Sequence, residues 1–126
     1  MNSSDCILTV ITPTIGRPGL QKLIECINKQ TIKNKIYHII LWDDFKIKEC
    51  PAIETFSGPR TLNLRLSDGF GKNGFAPGSP LRAIGLIAAT TPWVTFADDD
   101  VIWDDDHAES VLNASSLQNL YNPHEC

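Results

Sequence analysis

The run Ile7-Leu8-Thr9-Val10-Ile11 constrains this chain more than any other segment. Its apolar, β-branched residues are consecutive. A strand with one wet face alternates apolar and polar residues. A continuous run reads as a strand covered on both faces, as in a parallel sheet between two layers of helices. Thr12 to Arg17 breaks the run, and Pro18 suits the first turn of a helix. Leu20, Leu23, Ile24 and Ile27 follow at helical spacing, which predicts a helix ending near Gln30.

The same grammar recurs. Tyr37 to Trp42 reads as a second strand, ending at Asp43-Asp44. Thr61 to Leu66 reads as a short third strand with Leu62, Leu64 and Leu66 on one face. Residues 67–79 are rich in glycine and proline and read as a loop. Ser79-Pro80 has the form of an N-cap followed by proline at the first helical position. Leu81, Ile84, Ile87 and Ala88 supply that helix's apolar stripe, and Trp93 to Ala97 is a fourth strand. Asp106 and Glu109 have capping-box spacing, which predicts a last helix to about Leu120. Strands alternating with helices define an α/β fold, a Rossmann-like three-layer sandwich with a mostly parallel central sheet.

At 126 residues and 42% apolar content, one domain with a real core is expected. A net charge of −4 argues against broad nucleic-acid binding, which needs a basic face. Cys6, Cys26, Cys50 and Cys126 include no CxxC pair, so neither zinc nor disulfides are expected. No signal-peptide pattern and no membrane-length apolar segment is present. A reduced, cytoplasmic setting is the default.

The fourth predicted strand runs directly into Asp98-Asp99-Asp100. Adjacent carboxylates repel, and a hard divalent cation, Mg²⁺ or Mn²⁺, relieves the repulsion. Such a cation held by one or two carboxylates leaves coordination positions for substrate phosphates. In open α/β sheets ligands bind beyond the carboxyl ends of the strands. Polar residues gather at each such end: Pro13-Thr14 and Arg17, Asp43-Asp44, Ser67-Asp68, and the triplet. A second triplet, Asp104-Asp105-Asp106, precedes a helix, where negative charge favours the dipole. That run reads as capping. His38, inside a strand, reads as structural. Gly69 to Gly74 matches GxGxxG literally but follows the third strand, not the first, and reads as a loop.

Pro13-Thr14-Ile15-Gly16-Arg17-Pro18, Gln30, Asp43-Asp44, Leu81-Arg82-Ala83-Ile84-Gly85 and Asp98-Asp99-Asp100 occur in this order. Together they resemble the family 2 glycosyltransferases, which have the GT-A fold. The resemblance covers residues 7 to about 115. It implies transfer of a sugar from a nucleotide-diphosphate sugar, a UDP-sugar foremost, with Mn²⁺ or Mg²⁺ as cofactor. By similarity, Asp44 accepts from the base and the Pro13-Thr14 turn cradles the nucleoside. Asp98 contacts the ribose or the metal and its water, and Asp100 or Asp99 ligates the metal. Arg17 and Arg82 add charge at the nucleotide, and Lys72 does so with less support.

Two places depart from the family pattern: Ala83 replaces an asparagine, and Phe45-Lys46 follows the second-strand aspartates where a serine or asparagine is usual. The family's second half supplies the acceptor site and commonly a carboxylate base. This chain is expected to lack it, so no catalytic residue is assigned. A non-catalytic nucleotide-binding or assembly module is therefore the alternative to a transferase. A nucleotidyltransferase ranks below both, since Ile11 to Pro18 contains a single glycine. An apolar edge buried by a homodimer and peripheral work at the inner face of a membrane are further expectations.

Overall fold

A computed structural model describes residues 5–16, 18–42, 56, 58–66 and 79–120. Among the described residues, four strands form one sheet: β1 (Leu8–Thr14), β2 (Ile36–Trp42), β3 (Thr61–Arg65) and β4 (Trp93–Phe96). Their order is β3-β2-β1-β4, and every neighbouring pair is parallel. Helices α1 (Gly19–Asn28), α2 (Ser79–Ala88) and α3 (His107–Leu120) flank them, with a 3₁₀ turn at Lys33–Lys35.

Side chains alternate across the sheet and divide the core between two layers. Leu8 and Val10 of β1 and Ile36 of β2 pack with Leu23 and Ile27 of α1 and Ala108 of α3. Ile40 and Trp42 join Leu20 of α1 and Phe56. The odd-numbered Ile11, Ile39 and Leu41 face the other way, against Leu81 and Ile84 of α2. Leu62, Leu64 and Leu66 reach the same α2 layer. Ile11, Ile39, Ile40 and Leu41 are fully buried, as a doubly covered sheet requires. The α/β three-layer sandwich expected from the apolar runs is therefore the fold.

Helix α2 lies close to β1 because Gly85 has no side chain. A Cβ there would collide with Ile11. A buried polar pair is built into the sheet: the Thr12 hydroxyl lies 2.8 Å from His38 Nε2. Both are buried, and burial lowers the His38 pKa to about 3.

Strand β1 runs three residues past Ile11, to Thr14, and other element boundaries differ from expectation by one or two residues. Helix α1 stops at Asn28, and α2 begins at Ser79 itself. The cap of α3 differs in kind. The Glu109 carboxylate accepts from the Thr31 hydroxyl at 2.7 Å and does not close a box with Asp106. The Ala108 amide donates instead to Gln30 Oε1 at 2.9 Å. Gln30 is 2% exposed, and its Nε2 donates to the carbonyls of Cys26 at 3.2 Å and Asp104 at 2.7 Å. One buried amide thus caps α3 from the end of α1, and Thr31 N adds a bond to the Asp105 carbonyl.

Candidate nucleotide site

Strand β1 continues through α1 to β2 on one side, while β4 lies on its other side. The chain thus diverges between β1 and β4, and a crevice beyond their carboxyl ends is where open α/β sheets bind ligands. Thr14 ends β1. Ala97 remains in the ladder through its amide, which donates to the Ile11 carbonyl at 3.0 Å. The acidic triplet follows, placing Thr14 and Asp98-Asp99-Asp100 at the same crevice.

Strand alternation carries into the triplet. Ala97 and Asp99 are each 3% exposed, whereas Asp98 and Asp100 are exposed. Asp99 Oδ2 accepts from the Thr14 hydroxyl at 2.8 Å. The same Thr14 oxygen accepts from the Gly16 amide at 2.9 Å. Gly16 has φ of 93°, a left-handed conformation that glycine adopts without strain. Asp98 Oδ1 accepts from Arg82 Nη2 at 2.6 Å, linking α2 to the end of β4. Both partners remain accessible, with side-chain exposures of 32% for Arg82 and 57% for Asp98.

Pro13, Thr14, Arg82, Asp98, Asp99 and Asp100 therefore sit at or beside one end of the sheet. Arg17, Asp43, Asp44, Lys72 and the glycine-rich loop lie outside the described residues. Trp42, which precedes Asp43 in sequence, is the register partner of Thr14. Gly19 emerges only from the structure, since a Cβ there would lie 2.8 Å from the Asp99 carbonyl. A glycine directly after the helix-opening Pro18 is the one local sign of it.

The second triplet is used differently. Its main chain bonds to the α1 end through Asp104 and Asp105, and all three side chains are exposed. His107 packs its ring on Trp103 with centroids 4.6 Å apart. Among the described residues, no three His, Cys, Asp or Glu side chains converge as a metal cage. Two accessible carboxylates and no soft donor nevertheless suit a hard cation whose remaining ligands come from phosphate and water. A cavity of about 290 Å³ lies away from this site, between α1 and the first residues of β2 and β3, with His38 and Arg60 in its wall.

A parallel sheet with polar residues massed at its carboxyl-end switch point is an α/β fold with a crevice where such sheets bind ligands. The sequence profile for Glycosyl transferase family 2 matches residues 9–117, and the chain belongs to that family. Solved structures agree on the fold. The crystal structure of S. aureus TarS superposes with a TM-score of 0.70 at 19% identity over 85% of this chain. TarS 1-349 in complex with UDP gives 0.69 at 17% identity over 85%, and its UDP-GlcNAc complex gives 0.66 at 20% over 87%. The chain spans 19% of the first of these and 31% and 30% of the other two. No curated protein sequence matches it. No helix among the described residues is long and apolar enough to cross a membrane.

Proposed function

We propose that this chain binds the diphosphate of a nucleotide sugar through a divalent cation and serves the donor side of a glycosyl transfer. One observation carries the reading: Asp98, Arg82 and the exposed Asp100 stand together at the switch point between β1 and β4. Asp98 and Asp100 would hold Mn²⁺ or Mg²⁺. That cation, when bound, neutralises charge growing on the departing nucleoside diphosphate. Arg82 orients Asp98 and adds a positive charge beside the phosphates. The Pro13-Thr14 corner borders the nucleoside through its main chain alone, and Arg17 and Asp44 complete that border, with Asp44 accepting from the base. The bound UDP and UDP-GlcNAc of the similar TarS structures support a UDP-sugar as the donor.

A second reading is nucleotide binding without transfer. It draws support from the site itself, where Arg82, Asp98 and Asp100 are all assigned to donor binding and none of them to a base. Slow hydrolysis of a UDP-sugar, lost in Asp100→Ala, would count against it. Leu86, Ile87, Phe96 and Ile102 are exposed and suit burial in a homodimer. A clean monomer by light scattering at high concentration would refute that part. A sugar-nucleotide substrate fits a cytoplasmic site, the inner face of a membrane included.

Calorimetry with uridine, guanosine and cytidine diphosphates, with and without Mn²⁺, tests the main reading. Metal-dependent binding, strongest for the uridine nucleotide, is expected. Absence of metal-dependent binding for all three would sink it.

A further inference from the structure

The β1–α1 corner and the acidic triplet are moulded to one another. Thr14 is 3% exposed and its hydroxyl is fully committed: it accepts from the Gly16 amide and donates to Asp99. Asp99 in turn is held at both its side chain and its backbone. Its carbonyl occupies the space over Gly19, where a Cβ would sit 2.8 Å from that oxygen and 3.5 Å from the Asp100 Cα. Separations below 3 Å force a shift, and here the obstructing atom is backbone, so the triplet itself would have to move.

We propose that Thr14 and Gly19 are positioning residues that act through Asp99. They fix the height and direction of Asp98 and Asp100 without contacting the ligand through their own side chains. The inference rests on the nucleotide-diphosphate reading above and deepens it. Asp99 points inward between two outward carboxylates, so a displacement of the Asp99 backbone moves both neighbours together. Removing the Thr14 hydroxyl leaves a buried carboxylate short of one donor, and that group then gains by turning toward water. Adding a methyl at Gly19 pushes from the other side. Alanine is the better helix former, so this substitution separates site geometry from helix stability.

The test uses the full chain as wild type, Thr14→Ser, Thr14→Val and Gly19→Ala. Amide exchange of residues 97–103 and UDP affinity in saturating Mn²⁺ are both measured, at a temperature where each variant is folded. Thr14→Ser keeps the hydroxyl and should match wild type within twofold in both readouts. Thr14→Val keeps the shape and loses the donor. Exchange over 97–103 should rise about tenfold and UDP affinity should fall about tenfold. Gly19→Ala should do the same, and it carries the test should Thr14→Val fold poorly. Unchanged exchange and affinity in both Thr14→Val and Gly19→Ala would overturn the proposal, as would Thr14→Ser behaving like Thr14→Val. Wild type that binds no UDP, with the exchange pattern as stated, would sink the nucleotide reading and leave the ordering role of Thr14 and Gly19 standing.

Discussion

Two runs of three aspartates lie six residues apart in this chain and are put to opposite uses. In Asp98-Asp99-Asp100 side chains are engaged: one with Arg82, one with Thr14. In Asp104-Asp105-Asp106 the backbone is engaged, and the carboxylates stand in water. Composition cannot separate them. Position does: the first run leaves the end of a strand, so alternation buries its middle residue. The second approaches a helix, so its carbonyls and amides need partners. Acidic clusters acquire a role from the backbone that delivers them.

Acid tests the comparison most severely, because it separates both triplets from the core beneath them. Burial holds the folded His38 imidazole neutral down to about pH 3, whereas the unfolded chain takes up that proton near 6.5. Stability should therefore fall as pH drops below 6.5 and level off near 3. The loss between pH 7 and 4 should be about 3 kcal/mol from this residue. Urea denaturation across that range checks it. A His38→Asn variant with equal acid lability would move the cause to the carboxylates.

Gln30→Ala attacks the backbone anchoring of the second triplet. It strips partners from the Asp104 carbonyl and the Ala108 amide and should cost about 2–3 kcal/mol in urea denaturation. Asp99→Ala attacks the side-chain anchoring of the first triplet by leaving the buried Thr14 hydroxyl without its acceptor. About 1–2 kcal/mol is expected in the same assay. Arg82→Ala removes an accessible ion pair and should cost under about 1 kcal/mol, falling further in high salt. Asp105→Ala should stay within about 0.5 kcal/mol of wild type. A large loss there would show that the second triplet's carboxylates matter after all.

The layered fold was legible because the decisive signals are local. The unbroken run at Ile7–Ile11, the alternating leucines at 62, 64 and 66, and the prolines opening two helices each act within a few residues. The meeting of Thr14 with the first triplet at the ends of β1 and β4 also followed, once the strands were ordered in parallel. The cap of α3 was not legible. A capping box is a four-residue rule, whereas Gln30 reaches Ala108 across 78 residues of sequence. The inward turn of Asp99 depends on where pairing of β4 ends, and the close approach over Gly19 depends on packing. The first follows strand alternation only once pairing sets which face is inward, and the second leaves no periodic trace.

On the proposed reading, the first triplet alone serves a metal–nucleotide site. The direct measurement is UDP binding by calorimetry, in Mn²⁺ and again in EDTA, for wild type, Asp98→Asn/Asp100→Asn and Asp104→Asn/Asp106→Asn. Wild type and the second-triplet variant should bind equally in Mn²⁺ and not at all in EDTA. The first-triplet variant should lose at least about 100-fold. Equal binding by all three proteins, or binding indifferent to EDTA, would contradict the account.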